Sequence, residues 1–454
     1  RNAAPHNRPI RALRETPMRS RYRWFVAVVL FVFLLLHQAD KLLIGPLTTS
    51  IMEDFRINEA QMGAVSSLAI VVASLLYPVW GYLYDRYARA KLLALASFIW
   101  GSTTWLNALA PTYPTFMATR SSTGIDDSSY PGLYSLLADY FGPGMRGKVY
   151  GAMQMSGPLG FMVGTVLATT LGGALGWRRV FFITGSSGIA IAALIFFTVR
   201  ERARGSAEPE MENLDKIGSY RIDWQAMRGL LRIRTLLLLM AQGFFGVFAW
   251  NVLIFWFFRY LEKERGYTSG QAMTAMLVAI AALSVGYLLG GNLGDALFKR
   301  TRRGRAIVGG LGTLAAAVML LLTMNVPAEK TTLFTVLLGV TGLTMSVTAP
   351  NAMATVPDIT LPEARSTAQA VRKLVEDGGA ALAPWLAGVI AMRASLHLAI
   401  IVICVSTWLA CAALFGAVAY FVPDDVEALR ETMRQRAAEQ MTKKYAAAAL
   451  QEGE

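Results

Sequence analysis

Cysteine, histidine and charge are all scarce in this chain. Two cysteines and three histidines occur among 454 residues, and only 16% of the residues are charged. Cys404 and Cys411 stand one heptad apart in an apolar run, and His6, His37 and His397 are scattered, so no disulfide framework or metal-binding motif is evident. Soluble proteins carry about a quarter charged residues. The sequence therefore excludes an ordinary soluble domain, and we expect no metal and no cofactor.

Long apolar runs dominate what is present. Hydrophobic residues make up 54% of the chain, and a membrane-spanning helix needs about 20 largely apolar residues. We predict an all-α membrane protein with twelve spans, at 24–51, 59–82, 92–110, 114–141, 148–174, 178–199, 235–258, 270–293, 306–325, 331–356, 365–392 and 396–422.

The net charge of +13 could indicate a nucleic-acid partner, but its distribution argues against one. If both termini share one side of the membrane, most Lys and Arg fall in the segments on that side. This is the positive-inside pattern, so we expect both termini in the cytoplasm and the protein in the cell (inner) membrane. The basic charge would then serve orientation and contact with anionic lipid.

Two apolar windows, 61–85 and 271–295, repeat one another. The matched pairs at a constant offset are Gln61 and Gln271, Ser74 and Ser284, Tyr77 and Tyr287, Gly81 and Gly291, and Asp85 and Asp295. A duplicated half predicts two pseudo-symmetric six-helix bundles with a site between them. We place a basic arm at 1–22, the bundles at 23–200 and 235–422, a central cytoplasmic loop at 201–234 and a tail, predicted as a short surface helix or partly disordered, at 423–454.

Ionisable residues inside the spans are costly and are therefore functional hypotheses. We predict that Asp40 and Asp127 carry protons. His37 is a third candidate, although a packing role is favoured for it. Because Asp126 lies off the helical face of Arg120, Asp127 is the predicted partner of Arg120 in a shared cavity. The alternative is a static buried ion pair between spans 1 and 4.

Spans 4 and 7 supply the predicted substrate contacts. Span 7 is rich in aromatic residues, although about half of them must face lipid. The predicted substrate-binding residues are Arg120, Tyr130, Tyr134, Gln242, Phe245, Phe248, Asn251 and Trp256.

The turn after span 2, GYLYDRYARAKL, predicts a latch on the cytoplasmic face that breaks when the bundles rock. In the second copy, Arg300 or Arg303 is expected to replace Arg86. Arg372 and Glu376 stand four residues apart and could join the gate, but a solvated helix end is favoured for them. The predicted gate residues are Gly81, Asp85, Arg86, Arg89, Asp295, Arg372 and Glu376.

These motifs resemble the major facilitator superfamily, and within it the spinster-type lipid transporters. The latch turn is close to the G-x-L-x-D-R-x-x-R signature, and residues 120–130 resemble a family pattern R-x-x-x-G-I-G-E-A-S-Y. Asp127 takes the place of the family glutamate and Asp126 that of a glycine. The resemblance implies secondary transport of lysophospholipids or sphingoid phosphates by alternating access.

Two other functions compete with this interpretation. A proton-coupled symporter of small organic anions, such as hexuronates, would use a similar arginine and acid in span 4. A lipid receptor that moves nothing is disfavoured, because repeated bundles with intramembrane acids exceed what a receptor needs. No nucleophile–base pair indicates an enzyme. The expected partners are membrane lipid, a small amphipathic substrate and protons, and the expected state is a monomer.

Overall fold

The computed structural model describes residues 20–57, 59–127, 129–211 and 229–452. Most of the predicted N-terminal arm and residues 212–228 of the predicted central loop lie outside this part. The described residues fold into helices joined by short turns, without a strand among them.

The first half contains six predicted spans, three of them formed by consecutive shorter helices. Its helices are α1 (Ser20–Leu42), α2 (Ile44–Phe55), α3 (Glu59–Arg86), α4 (Arg89–Leu109), α5 (Tyr113–Ser122), α6 (Gly124–Asp127), α7 (Tyr130–Tyr140), α8 (Pro143–Gln154), α9 (Ser156–Leu175) and α10 (Trp177–Thr198). A 3₁₀ turn, Pro209–Met211, follows in the central loop.

The second half repeats this organisation with fewer interruptions. Its helices are α11 (Arg234–Lys263), α12 (Ser269–Phe298), α13 (Gly304–Met324), α14 (Thr331–Ser346), α15 (Thr348–Ile359), α16 (Arg365–Arg393) and α17 (Leu396–Glu452). A 3₁₀ turn, Pro362–Ala364, precedes α16.

Each predicted span coincides with one helix or with consecutive helices, so the twelve-helix prediction is confirmed. Nine stretches of the described chain are long and apolar enough to cross a membrane by composition alone. Two of the remaining three predicted spans, 114–141 and 365–392, contain the charged side chains described below.

Each half has its own apolar core, and the halves make most of their contacts along two helix pairs. Trp100, Phe141 and Tyr150 belong to the core of the first half, and Tyr260 and Phe334 to that of the second. Helix α3 packs against α16, and α8 packs against α12. The repeat therefore places equivalent helices of the two halves at one shared interface.

The C-terminal tail differs from the predicted short surface helix. Helix α17 runs through Pro423 without ending and continues to Glu452. Beyond the apolar span, its Leu429 and Met433 pack with Met211 of the central loop. The tail is therefore attached to the face of the molecule where the central loop lies.

Candidate functional site

A buried carboxylate in α1 lies at the centre of a polar cluster in the first half. Asp40 Oδ2 accepts hydrogen bonds from Trp100 Nε1 and Thr104 Oγ1, both at 3.0 Å, and Oδ1 accepts one from Thr184 Oγ1 at 2.5 Å. These donors come from α4 and α10. A buried carboxylate with three neutral donors is held in place without being neutralised, so it retains the ability to attract a cation or a proton.

Arg120 is the cation nearest to Asp40. Its NH1 lies 4.0 Å from Asp40 Oδ2, and its NH2 donates a 3.1 Å hydrogen bond to the Lys41 carbonyl. The prediction that Asp127 is the partner of Arg120 is therefore wrong. The prediction that Arg120 and Asp127 share a cavity is confirmed, because both line the same small space.

Asp127 instead pairs with Lys41, whose role the sequence left open. Lys41 Nζ lies 2.9 Å from Asp127 Oδ2, and the lysine side chain is 42% exposed. Asp127 belongs to α6, a four-residue helix between the turns at Thr123 and Ser129. A partly exposed lysine can leave its partner at small cost, so this pair can open.

His37 connects the helices of spans 1 and 4. Its Nε2 lies 2.7 Å from Asp126 Oδ2 and 3.6 Å from Asp127 Oδ1. Its Nδ1 lies 2.7 Å from the Tyr130 hydroxyl, which also accepts a 2.7 Å hydrogen bond from Gln38 Nε2. The sequence analysis placed Asp126 outside the site, yet the structure brings it into direct contact with a candidate proton carrier.

These groups surround a cavity of about 10 Å³. That volume admits roughly one water molecule. The cavity can therefore hold one water molecule, which is able to carry a proton, but it is far too small for an organic substrate. Its lining residues are His37, Asp40, Lys41, Trp100, Arg120, Thr123, Asp126 and Asp127.

Three of these residues also offer ligands that could hold a metal ion. The ligand atoms of His37, Asp126 and Asp127 lie within 4.8 Å of one another. Scattered histidines gave no sign of this in the sequence, because His37 lies in span 1 and the two aspartates lie in span 4. Imidazole and carboxylate together suit a divalent transition metal. The Lys41 ammonium already lies on Asp127, however, so such a metal would have to displace it.

The predicted substrate residues of span 7 fall in different environments along α11. Phe248 and Gln242 are buried, and the Asn251 amide donates to its own helix at the Val247 carbonyl. Phe245 is 37% exposed. Trp256 is half-buried.

Aromatic contacts link the exposed and buried parts of α11. The Phe244 ring lies 5.5 Å from the Phe245 ring and 5.3 Å from the Phe248 ring, measured between centroids. Tyr134 of α7 is buried elsewhere, where its hydroxyl donates to Gln154. The rings of α11 form a continuous apolar path, whereas Tyr134 is already engaged within the first half.

The latch aspartates make the same contact in both halves. Asp85, at the end of α3, accepts hydrogen bonds from the Ser366 and Thr367 amides at 3.0 and 2.6 Å. Asp295, at the end of α12, accepts hydrogen bonds from the Gly147 and Lys148 amides at 3.0 and 2.7 Å. Each aspartate accepts from backbone amides near the N-terminus of a helix in the opposite half, where carboxylates are favoured. These contacts close the predicted cytoplasmic face.

Glycine permits the close approach at both contacts. A Cβ on Gly291 would lie 2.1 Å from the Gly147 carbonyl oxygen. A Cβ on Gly81 would lie 2.6 Å from the Ala370 Cβ. The predicted gate glycine thus has a steric role, and its counterpart in the second half has the same one.

A second repeated motif, D-x-x-x-P-x-x-R, reinforces the latch. It comprises Asp139 to Arg146 in the first half and Asp358 to Arg365 in the second. Arg146 NH1 lies 2.8 Å from Asp358 Oδ1, and Arg365 NH1 lies 3.1 Å from Asp139 Oδ1. The two copies thus exchange partners across the interface. Sequence comparison of the two halves could have found them, but the apolar windows alone did not contain them.

The predicted arginines of the latch occupy different positions from those expected. Arg89 pairs with Asp139 at 2.5 Å within its own half, and its counterpart is Arg305, which lies 2.7 Å from Asp295 and also binds Asp358. Arg86 is exposed and donates to Tyr82. The expectation that Arg300 or Arg303 completes the second copy is wrong.

Arg372 and Glu376 form a buried pair within α16 rather than a solvated helix end. A Cβ on Gly243 of α11 would lie 2.5 Å from Glu376 Oε1. The pair therefore lies beside α11, the helix predicted to contact substrate. The favoured interpretation from the sequence, a solvated end, is wrong.

Glu208 of the central loop joins the two halves and the tail. Its Oε1 accepts a hydrogen bond from Arg146 at 2.6 Å and another from Arg365, and its Oε2 accepts one from Arg430 of α17 at 3.0 Å. Burial alone would raise the pKa of Glu208, but the three guanidinium charges outweigh it and lower the pKa to about 2. The carboxylate therefore stays ionised throughout the physiological pH range.

Paired bundles, charges within the spans and symmetric contacts between repeated halves are typical of a transporter of the two-bundle class. The profile of the Major Facilitator Superfamily matches residues 29–329 and 299–448. The chain belongs to this superfamily of membrane transporters.

Its curated relatives include two kinds of transporter-like protein. Protein spinster of Drosophila melanogaster is 27% identical over 401 residues, covering 83% of this chain and 63% of that protein. The cis,cis-muconate transport protein of Acinetobacter baylyi is 26% identical over 390 residues, covering 84% of this chain and 91% of that protein. The chain thus spans less than two thirds of the Drosophila relative.

Solved structures share the fold. A bacterial homolog of the human lysosomal transporter Spinster, in an inward-facing and unoccupied conformation, has a TM-score of 0.56 at 21% identity, covering 93% of this chain and 99% of that one. The human organic anion transporter MFSD10 has a TM-score of 0.67 at 15% identity, covering 88% and 99%.

Proposed function

We propose that this protein is a proton-coupled secondary transporter that moves a lysophospholipid or a similar amphipathic anion by alternating access. The observation that carries the proposal is the buried cluster of Asp40, Arg120, Lys41 and Asp127, which faces a cavity large enough for one water molecule. Buried carboxylates with movable cationic partners can gain and lose a proton as the surroundings change.

The arrangement of the charges supports the proposed proton coupling. Asp40 and Arg120 are 4.0 Å apart, at the outer limit of an ion pair, whereas Lys41 and Asp127 are in close contact at 2.9 Å. Protonation of either aspartate would release its cation. In the proposed cycle, Arg120 is then free to bind the anionic group of the substrate, as a planar guanidinium does well.

The latch supplies the conformational part of the cycle. Two symmetric caps, at Asp85 and Asp295, hold the halves together on one face. We infer that this face is cytoplasmic, in agreement with the positive-inside pattern. The conformation described here is then closed to the cytoplasm, and rocking of the halves would break both caps together. We propose that the protein acts as a monomer in the cell membrane.

Helix α11 supports the amphipathic nature of the substrate. Its contacting rings run from the exposed Phe245 through Phe244 to the buried Phe248. An acyl chain placed along them would gain about 0.8 kcal/mol for each methylene removed from water. The similarity to spinster proteins points in the same direction.

A small organic anion is the second candidate. It is favoured by the muconate relative, 91% of which is covered by the alignment with this chain. Such a substrate would bind Arg120 without using the rings of α11. The two candidates therefore differ in what the apolar path contributes.

Competition binding on the purified protein separates the two. Lysophospholipids of graded chain length and small dicarboxylates would displace a labelled lysophospholipid from wild-type protein and from Phe245→Ala. We expect affinity to rise with chain length in the wild type and to rise less steeply in the variant. Affinity that ignores chain length, together with competition by the dicarboxylate, would favour the second candidate.

A further inference from the structure

The charges of the cavity do not balance. Three carboxylates line it, those of Asp40, Asp126 and Asp127, but only Lys41 and Arg120 are permanent cations there. An uncompensated charge in a buried site is costly, so one further positive charge is required. The only remaining titratable group in the lining is His37.

His37 and Asp126 are placed to hold that charge as a proton. The Nε2–Oδ2 distance of 2.7 Å is a short charge-assisted contact, and both residues are buried. Nδ1 lies 2.7 Å from the Tyr130 hydroxyl, which fixes the orientation of the ring. A proton on Nε2 therefore has a carboxylate acceptor already in place.

Asp126 also has an acceptor atom without a partner among the described residues, and Asp126 is part of the cavity lining. Its Oδ1 is buried and has no hydrogen-bond partner within the described part of the chain. Such an atom is costly to bury unless a water or a proton occupies it for part of the time. The cavity of about 10 Å³ has room for one water molecule in contact with this group.

We propose that His37 and Asp126 form a second proton-binding site, distinct from the acids Asp40 and Asp127. The proposal extends the proton-coupled function above and rests on it for its role in transport. It concerns residues specific to this chain, because the spinster-type pattern has a glycine at the position of Asp126. The site would hold one proton while Asp40 and Asp127 are both ionised.

A metal ion is the weaker occupant. A divalent ion on His37, Asp126 and Asp127 would turn a deficit of one positive charge into an excess of one. It would also compete with the Lys41 ammonium, 2.9 Å from Asp127. A single proton neutralises the cavity without moving any side chain.

Several charged or titratable groups act on the pair. Asp40 and Lys41 lie on α1, the helix of His37, and Asp127 lies beside Asp126 on α6. Arg120 lies on α5 and Tyr130 on α7. Tyr77 of α3 interacts electrostatically with Tyr130, and the Lys373 ammonium of α16 lies 5.9 Å from the Tyr77 ring. Asp126 lies 2.7 Å from His37 Nε2, whereas Asp127 lies 3.6 Å from it, so replacing Asp126 removes the carboxylate that is hydrogen-bonded to the imidazole.

Because the chain has few histidines, the protonation state of the His37 ring can be observed directly. The chain has three histidines, so ¹⁵N-histidine labelling of the full-length protein gives three ring spectra, and His37→Gln assigns one of them. We expect the His37 ring of the wild type to be an imidazolium at pH 5 and to become neutral by pH 9. In Asp126→Asn we expect loss of the imidazolium signal, whereas Asp126→Glu should restore it.

Asp54→Asn is the matched control, because Asp54 is half-exposed and pairs with Arg178 outside the cavity. Its spectra should match the wild type. A His37 ring that stays neutral, stays charged from pH 5 to 9, or titrates unchanged in Asp126→Asn would overturn the proposal. None of these readouts needs a substrate. Failure of the second site is therefore distinguishable from failure of proton-driven transport, which is measured with Asp40 and Asp127 variants.

Discussion

Arg146 and Arg365 occupy equivalent places in the two halves, and each binds the aspartate of the other half's motif. Arg146 binds Asp358 at 2.8 Å, and Arg365 binds Asp139 at 3.1 Å. Both guanidinium groups also donate to the same oxygen of Glu208. The closed face is thus held by two crossed ion pairs around one acid, an arrangement that can form or break only as a unit.

Both latch caps should contribute, and Asp295 should contribute more, because it also binds Arg305 at 2.7 Å. Asp85→Asn and Asp295→Asn each weaken two hydrogen bonds from a helix N-terminus to a carboxylate, and bonds to charged groups contribute about 1.5–3 kcal/mol each. We expect each variant to increase the population open on this face. Spin labels at Arg86→Cys and Lys299→Cys, both exposed sites, would report the distance between the halves, since both native cysteines are buried.

Asp54→Asn serves as the control for these distance measurements, because Asp54 lies outside the latch. An unchanged distance distribution in both Asp85→Asn and Asp295→Asn would show that the caps do not hold the closed state.

Glu208 should hold the latch independently of pH in the physiological range. Its pKa is lowered from 4.5 to about 2, so the stability it contributes is fully present above about pH 4.5 and is lost only as the pH falls toward 2. Asp85 differs, because burial raises its pKa to about 6, so we expect any loosening of the latch between pH 8 and 5 to come from the cap at Asp85 and not from Glu208. Glu208→Gln should open the face at every pH, because removing one partner from a buried ion pair costs about 3–5 kcal/mol.

Glu53→Gln provides a comparison for Glu208→Gln, since Glu53 is exposed on α2. A Glu208→Gln protein that remains as closed as the wild type would exclude Glu208 from the latch. Loosening of the latch between pH 8 and 5 that persists in Asp85→Asn would contradict the lowered pKa of Glu208.

Arg120 should not tolerate a conservative replacement. Its guanidinium spans Asp40 and the Lys41 carbonyl with two different nitrogens. Arg120→Lys keeps the charge but cannot make both contacts, so we expect transport to fall at least about tenfold while the protein stays folded. Uptake into proteoliposomes, with thermal unfolding as the check on folding, measures this. Wild-type transport by Arg120→Lys would reduce Arg120 to a general positive charge.

The architecture could be predicted from the sequence because it follows from apolar length and from a repeat. The paired aspartates Asp85 and Asp295 stand at the same offset in both halves, and the structure gives them equivalent contacts. Arg305 could not be assigned in the same way. It follows Asp295 by ten residues, whereas Arg89 follows Asp85 by only four, so the loop conformation decides which arginine reaches the acid.

The contact between His37 and Asp126 could not be predicted for a geometric reason. A helical projection of span 4 assumes one continuous helix at about 100° per residue. The structure interrupts the helix at Thr123 and again at Ser129. These turns alter the direction in which the side chains between them point, so that Asp126 and Asp127 both approach span 1. Side-chain partners across broken helices depend on such turns, which hydrophobic periodicity does not encode.

The central claim is that Asp40 and Asp127 couple transport to protons. The direct measurement is lysophospholipid uptake into proteoliposomes, driven by a pH gradient, for Asp40→Asn, Asp127→Asn and the control Asp54→Asn. We predict that both coupling variants lose pH-driven uptake yet remain folded and still bind lysophospholipid, whereas Asp54→Asn transports normally. Undiminished pH-driven uptake in both Asp40→Asn and Asp127→Asn would contradict the account.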